Sequence, residues 1–188
     1  MSDTNDLIEV VDTVIAALRH HAIPHYITGS FATSVHGEFR ATADIELVAE
    51  ITASALPAQL RDLDAAFVAD AEQAMSALAA GVSFNLIHRT TYLKVDFFPC
   101  DNAFNRSALD RAVTIEIPGA RESLRVSSVE DILLATLRWY RLGGESSEVQ
   151  RRDVRQLIAL NRDALDMGYL RQWATVLGVD DLRTSAIA

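Results

Sequence analysis

The sequence predicts an α+β fold, in which helices and strands mix up to about residue 126 and helices alone follow. Apolar residues of the first segment recur at helical spacing, from about Asp6 to His21. Short apolar runs with β-branched and aromatic residues then alternate with helical segments, which is typical of a sheet with flanking helices. After Arg125 only helical patterns remain. We therefore predict an α/β unit over residues 1–126 and a C-terminal helical bundle over residues 127–188.

Turn residues and periodicity define the elements of the first unit. Pro24 ends the first helix, and Gly29-Ser30 turns a short strand into a brief helix that His36-Gly37 closes. Arg89-Thr90 forms the turn of a hairpin. In chain order we expect a helix over 6–21, strand 25–28, helix 29–35, strand 44–48, helix 55–65, strand 67–68, helix 71–80, strands 83–88 and 91–98, helix 105–112 and strand 113–117.

Capping residues define the helices of the second unit. Ser127 followed by Glu130 forms a capping-box pattern, which opens a helix that runs to about Leu142. Gly143-Gly144 interrupts the helical pattern. Ser147, followed by Gln150, opens a second helix to about residue 160, and Asp166 caps a third that extends to about residue 177.

Composition excludes several classes of protein. The chain has 188 residues, 49% of them hydrophobic and 23% charged, as in ordinary globular domains. No apolar run approaches the ~20 residues that span a bilayer, and the polar N-terminus is unlike a secretory signal, so we expect a cytoplasmic protein. Cys100 is the only cysteine, which excludes a disulfide framework or a cysteine-based zinc site. The net charge of −9 argues against indiscriminate nucleic-acid binding.

Two acids alternate in an apolar strand. Asp44 and Glu46 point to the same face because side chains of a strand alternate. Their Cα atoms lie roughly 6.5–7 Å apart, a spacing that suits carboxylates flanking two metal ions about 3.5–4 Å apart. Asp62 and Asp64 have the same spacing but fall in a predicted helix, where they diverge, so we expect them at the solvated surface. Solvated acids on a strand face are the alternative for Asp44 and Glu46 as well.

A third acid, Asp96, lies in another apolar strand, Tyr92 to Pro99. An unpaired buried carboxylate costs several kcal/mol, so Asp96 requires a metal, a cation or a surface cleft. All three acids converge if this strand lies beside the strand of Asp44. The structural alternative is an ion pair with Lys94, the only lysine of the chain, on the same face.

The turn at Gly29-Ser30 has the features of an anion site. Glycine allows close approach of the backbone, and the N-terminus of the following helix presents N–H groups and a positive dipole end. The Ser30 hydroxyl adds a donor. The alternative is an ordinary turn with Ser30 as the N-cap.

The order Gly-Ser, then Arg40-x-Thr42-x-Asp44-x-Glu46, then a distant strand Asp resembles the nucleotidyltransferase superfamily that includes DNA polymerase beta. Within it, the chain resembles the AbiEii-like bacterial nucleotidyltransferases of toxin–antitoxin and phage-defence systems. The C-terminal segments 130–154 and 169–174 also resemble that group, so the likeness extends from about residue 26 to 182. The resemblance implies a nucleotidyltransferase-type mixed sheet followed by helices, and metal-dependent transfer of a nucleoside monophosphate from a nucleoside triphosphate, with release of pyrophosphate.

The resemblance also implies roles for the acids. Asp44, Glu46 and Asp96 would be catalytic and would bind two Mg²⁺ ions, with Mn²⁺ as a substitute. Asp96 would also accept the proton of the attacking hydroxyl. The second acid of this motif is commonly Asp, and Glu46 keeps the carboxylate on a longer side chain.

Nucleotide contacts are implied for seven further residues. Thr136 occupies a helical position where relatives often carry a lysine that faces the nucleotide, so Lys94, Arg138 or Arg141 would have to supply the missing charge. The implied nucleotide-binding residues are Gly29, Ser30, Arg40, Thr42, Lys94, Arg138 and Arg141.

Two other functions remain open. Thr136 favours a catalytically weak or inactive relative that binds a nucleotide or a partner, as one half of a toxin–antitoxin-like pair. A structural protein with decorative surface acids is the second. For an active enzyme the acceptor is also open, and RNA, a protein and a small aminoglycoside-like molecule are the candidates.

Overall fold

A computed structural model describes residues 4–38 and 42–187. Within these ranges, seven strands form one mixed sheet in the order β3-β4-β5-β2-β1-β7-β6. The strands are β1 His25–Thr28, β2 Asp44–Ala49, β3 Phe67–Val68, β4 Phe84–His88, β5 Lys94–Pro99, β6 Val113–Ile115 and β7 Leu124–Val126. The helices are α1 Thr4–His20, α2 Gly29–His36, α3 Leu56–Leu63, α4 Ala71–Ala79, α5 Ala103–Arg111, α6 Val129–Leu142, α7 Glu148–Asn161, α8 Met167–Leu177 and α9 Asp180–Ile187.

The centre of the sheet determines where the predicted site residues meet. β2 lies between β1, which is antiparallel to it, and β5, which is parallel to it. The predicted hairpin is confirmed, because β4 and β5 pair as antiparallel neighbours. Ile45 and Leu47 of β2 are fully buried, and Asp44 and Glu46 alternate with them on the other face.

One apolar core joins the sheet to the C-terminal helices. α1 buries Val10, Val14 and Leu18, the stripe that its periodicity predicts. Side chains from α6 and α7, such as Leu134 and Leu157, belong to the same buried cluster. The sheet ends at Val126 and the helices begin at Val129, close to the predicted boundary. The division into two units nevertheless stays a prediction.

Three details of the sequence prediction are wrong. β7 was not predicted, because a three-residue strand with only Leu124 and Val126 buried has almost no periodicity. α9 was not predicted either, because it follows Gly178 after a very short link. The N-cap of α6 is Ser128, whose hydroxyl accepts from the Asp131 N–H. Ser127 instead follows β7 directly and donates its N–H to the Ile27 carbonyl of β1.

The remaining caps agree with the prediction. Ser147 accepts from the Gln150 N–H at 3.3 Å, and Asp166 accepts from the Tyr169 N–H at 2.9 Å. Among the described helices, none is both long enough and apolar enough to cross a bilayer.

Candidate active site at the sheet edge

The three predicted acids lie on two neighbouring central strands, at the edge of the sheet where both strands begin. Glu46 of β2 is directly opposite Asp96 of β5, and Asp44 is opposite Lys94. Because the strands are parallel and in register, all four side chains project from the same face. Asp44 is exposed, and Glu46 and Asp96 are half-buried. We call Asp44, Glu46 and Asp96 the edge carboxylates.

Lys94 lies between two of the edge carboxylates. Its Nζ is 2.8 Å from Asp96 Oδ2 and 3.9 Å from Asp44 Oδ1. The hydrogen bond to Asp96 raises the pKa of the Lys94 ammonium above its ordinary value. The alternative ion pair is therefore present, and one cation serves two of the three carboxylates, which share a face of neighbouring strands.

Glu46 lies against the turn that starts α2. Gly29 has a left-handed φ of +64°, and a Cβ at this position would overlap the Glu46 carboxylate. The Ser30 N–H donates to Glu46 Oε2 at 3.2 Å. Burial raises the pKa of Glu46 against the effect of this bond, and the negative charges of Asp96 and Asp44 act in the same direction as burial.

The alternative role of Ser30 as a helix cap is not found. α2 begins at Gly29, and its N-cap is Thr28, whose side chain makes no capping bond. In this structure the Ser30 N–H, one of the donors expected to bind phosphate, is directed at a carboxylate. The turn and the acids are therefore in direct contact, which the sequence spacing alone does not show.

Thr42 supports the start of β2. Its Oγ1 donates to the Asp44 carbonyl at 3.0 Å and accepts from the Asp44 N–H at 3.3 Å. These two bonds hold the backbone that carries the first acid. Arg40, predicted to support the site from the same segment, lies outside the described residues.

A cleft opens from Glu46 and the Gly29-Ser30 turn towards α6. Two adjoining cavities of about 430 and 520 Å³ form it. Arg138 lines the 430 Å³ cavity on the side of α6, together with Trp139. The Trp139 side chain is 51% exposed and packs edge-on against Phe98, with ring centroids 6.2 Å apart. Both cavities share Gly29, Glu46, Phe98, Thr136, Trp139 and Leu142 in their walls.

Two residues predicted from α6 have different surroundings. The Thr136 hydroxyl donates to the Ile132 carbonyl of its own helix at 2.7 Å, and Thr136 lines the cleft without a charge. Arg141 binds Asp181 with two bonds of 2.8 and 2.7 Å and donates to the Gly178 carbonyl. Thr136, Arg138 and Lys94 thus lie near the site, whereas Arg141 contacts α9.

The donors of the edge carboxylates suit a hard divalent cation. Mg²⁺ prefers carboxylate oxygens and is commonly held by one or two of them together with substrate phosphates. Asp44 and Asp96 share the positive charge of Lys94, so these two carboxylates already stabilise one cation. These residues therefore fit the Mg²⁺ ions that the resemblance implies.

A second group of acids lies inside the helical half and is fully hydrogen-bonded. Asp131 accepts from the Tyr169 hydroxyl at 2.6 Å and from the Ser128 hydroxyl at 2.7 Å. Burial raises the pKa of Asp131 against these bonds. Glu130 accepts from Arg111 at 3.0 Å and from the Asp166 N–H at 2.9 Å. We call Glu130 and Asp131 the buried carboxylates.

The most compact cluster of metal-binding residue types was missed by the sequence analysis. In residues 4–38 and 42–187, one group of three His, Cys, Asp or Glu residues has ligand atoms that all lie within 4.8 Å of one another, namely His20, His21 and Asp62. No sequence pattern singled out His20 or His21, and Asp62 was expected only at the surface. No local pattern links α1 to α3, so only the tertiary structure brings them together.

Solved structures resemble this chain in fold. No protein-family model and no curated protein matches the sequence. The structure of an antigenic nucleotidyltransferase-like protein from Paracoccidioides brasiliensis superposes with a TM-score of 0.57 and 18% identity, over 98% of this chain and 93% of that chain.

Two further solved structures also match. The lincosamide antibiotic adenylyltransferase LnuA, solved with lincomycin, has a TM-score of 0.54 and 14% identity over 84% of this chain and 98% of its own. ANT(2'')-Ia in complex with adenylyl-2''-tobramycin has a TM-score of 0.52 and 14% identity over 92% and 97%. The chain therefore has a nucleotidyltransferase fold, and the predicted fold class is confirmed.

Proposed function

We propose that this protein is a metal-dependent nucleotidyltransferase that moves a nucleoside monophosphate from a nucleoside triphosphate to an acceptor hydroxyl. The observation that carries the proposal is the register of the two central strands. Glu46 lies opposite Asp96, Asp44 lies two residues before Glu46, and the Gly29-Ser30 turn contacts Glu46. Glu46 and the Gly29-Ser30 turn also line one cavity, which supports a common site for the acids and the phosphates.

Each group has a defined task in this proposal. The edge carboxylates would hold two Mg²⁺ ions, which would neutralise charge on the phosphates and polarise the reacting oxygens. The Gly29-Ser30 turn and the N-terminus of α2 bind the β- and γ-phosphates. Thr42 holds the backbone of Asp44 in place, and Arg40 belongs to the same segment in the proposal. Lys94 and Arg138 supply positive charge near the triphosphate.

The proposed reaction is a displacement at the α-phosphorus. The acceptor oxygen forms a bond to the α-phosphorus while the bond to the bridging oxygen of the β-phosphate breaks, and pyrophosphate leaves. The proton of the acceptor hydroxyl passes to Asp96, which is half-buried and lies opposite Glu46. Lys94, 2.8 Å from Asp96, then stabilises the negative charge that returns when this proton is lost to solvent.

For the acceptor we favour a small hydroxylated molecule over RNA or a protein. The cavity of about 430 Å³ lies within the size range of small-molecule sites. Phe98 and Trp139 give it an aromatic wall, and the matched structures include enzymes bound to lincomycin and to an adenylylated tobramycin. Transfer to RNA or to a protein is the alternative outcome of the test below.

The test is transfer of label from each of the four α-labelled nucleoside triphosphates in Mg²⁺. Lincosamides, aminoglycosides, total RNA and protein serve as acceptors in separate reactions. Glu46→Gln should abolish the labelled product, and Asp64→Asn, an exposed acid outside the site, should leave it unchanged. Equal labelling by wild type and Glu46→Gln would refute the proposal.

A second candidate is a non-catalytic, AbiEii-like protein that acts as the binding half of a toxin–antitoxin-like pair. Thr136 favours it, because its hydroxyl is bonded to its own helix and adds no charge to the cleft. Calorimetry with ATP and Mg²⁺ separates the two. Metal-dependent binding below millimolar concentration supports the enzyme, and no binding combined with no labelling supports the binding protein.

A further inference from the structure

Two consecutive histidines and an aspartate meet at the end of the sheet away from the edge carboxylates. His20 is the last residue of α1, His21 follows it, and Asp62 lies on α3. We call these three the histidine cluster. β1 begins at His25, shortly after α1 ends, and it runs about 10 Å to Thr28, given ~3.3 Å per residue.

The register of β1 separates the histidine cluster from the proposed active site. His25 pairs with Ala49, whereas Thr28 pairs with Glu46. The histidine cluster is therefore near one end of β1 and the edge carboxylates are near the other. A ligand bound by the three side chains would be independent of nucleotidyl transfer.

The geometry of the histidine cluster fits a transition metal. His21 Nε2 is 2.9 Å and His20 Nε2 is 4.0 Å from the same atom, Asp62 Oδ2. In a tetrahedral zinc site with bonds of 2.0–2.1 Å, neighbouring ligand atoms are about 3.3 Å apart. His20 and Asp62 are exposed, so small rotations of these two side chains would bring the three atoms to this spacing.

A hydrogen bond alone does not explain the convergence. The bond between His21 and Asp62 uses one imidazole, yet His20 also directs its Nε2 towards the same oxygen. Consecutive residues within a helix point about 100° apart. Here the helix ends at His20, and the turn that follows lets both rings meet edge-to-face with centroids 4.9 Å apart.

The surroundings favour a cation. The C-terminal end of a helix dipole is negative, and Asp62 adds a full negative charge. Imidazole nitrogen with one carboxylate oxygen is a donor set that suits Zn²⁺, Ni²⁺ and Cu²⁺ and is poor for Mg²⁺. We propose that His20, His21 and Asp62 bind one Zn²⁺ ion, with water as the fourth ligand, and that this ion links α1 to α3.

Calorimetric titration with Zn²⁺, in an excess of Mg²⁺ that occupies the edge carboxylates, tests the proposal. Wild type should bind one ion. His20→Ala should weaken binding at least tenfold, and since His20 is 73% exposed on its side chain, the change leaves the core intact. Asp62→Asn should have a similar effect, and Asp64→Asn is the matched control that should have none.

Two further readouts distinguish a built site from casual zinc binding. Co²⁺ should show the intense visible bands of tetrahedral coordination in wild type and lose them in His20→Ala. Zn²⁺ should raise the thermal midpoint of wild type but not of His20→Ala, because only a ligand of the folded state stabilises it. Undiminished zinc binding by either cluster variant, an octahedral Co²⁺ spectrum, or no zinc binding by wild type would overturn the proposal.

Discussion

The edge carboxylates and the buried carboxylates are both groups of acids beside one basic residue, but their environments are opposite. Glu130 and Asp131 are buried, and each of their four oxygens accepts a hydrogen bond. At the sheet edge, Asp44 is exposed and shares a single lysine with Asp96. The oxygens of the buried carboxylates are all occupied by hydrogen bonds from the protein, whereas the exposed carboxylate at the sheet edge can still bind a ligand.

The largest expected effect is on transfer by the edge carboxylates. If Asp44 binds metal as proposed, Asp44→Asn should lower the rate by about 10³-fold, because loss of a metal ligand costs several kcal/mol of transition-state stabilisation. The free energy of unfolding should stay equal or rise, since one repelling charge is lost. Labelled-product assays and urea unfolding measure the two quantities. A large loss of stability would show that Asp44 is structural.

The buried carboxylates should show the reverse pattern. Asp131→Ala should lower the free energy of unfolding by roughly 3–5 kcal/mol, because it leaves buried partners such as Tyr169 and Ser128 without their acceptor. Asp110→Ala, at an exposed position on α5, is the control and should change it by less than about 0.5 kcal/mol. Urea unfolding measures both, and equal effects would refute the contrast.

Two glycines separate backbone strain from the contact with Glu46. Gly29→Ala should destabilise the protein by more than the ~1–2 kcal/mol that a left-handed alanine costs, because its Cβ overlaps the Glu46 carboxylate. Gly178→Ala, with φ of +69° and nothing within 4 Å of the added Cβ, should cost only the backbone term. Identical losses in urea unfolding would remove the packing argument.

Lys94→Gln removes the positive charge that Asp44 and Asp96 share. Without nucleotide, Mg²⁺ should bind roughly three- to tenfold more tightly, because a competing positive charge at 3–4 Å is worth about 1 kcal/mol in a solvated setting. Nucleotide affinity should fall in the same variant. Calorimetry measures both, with Arg138→Gln as the control that leaves Mg²⁺ binding unchanged.

The smallest effects should appear in how the stability of the protein depends on pH. Glu130 and Asp131 should contribute to this dependence with opposite signs. Against burial, the Asp166 N–H and the Arg111 charge hold the pKa of Glu130 below its ordinary 4.5, so its contribution is lost as pH falls below 4.5. Burial raises the pKa of Asp131 above 3.8, so its ionised form disfavours folding, and this penalty disappears as pH falls through its raised pKa towards 3.8.

Urea unfolding between pH 6 and pH 3 therefore gives two divergent trends. The stability advantage of wild type over Glu130→Gln should shrink as pH falls, and that over Asp131→Asn should grow. Parallel trends would contradict the assignment of the two pKa shifts.

Much of the fold was predictable because its signals are local. Caps such as Ser147 and Asp166, and the alternation of Asp44 and Glu46 with apolar neighbours, need only a few residues of sequence. The sequence also identified Asp96 from the cost of burying an acid. The pairing of β5 with β2, which places Asp96 opposite Glu46, depends on the tertiary structure. From the sequence alone, this pairing could therefore only be assumed.

The contacts that the sequence did not predict are all long-range. Gly29 was expected to face phosphate, and its contact with Glu46 depends on how α2 packs on β2. The histidine cluster joins α1 to α3, and the ion pair of Arg141 joins α6 to α9. In each case the partner lies far away in sequence, beyond the reach of periodicity or motif spacing.

The bond from Arg111 on α5 to Glu130 on α6 spans the boundary near residue 126, as does the bond between Ser107 and Tyr169. A fragment that ended at residue 126 would carry Arg111 without its carboxylate and would expose the apolar surface that α6 and α7 cover. The two parts read as separate units along the chain, yet they should melt in a single transition. In truncated forms, or in chimaeras that exchange one half, neither half would then fold.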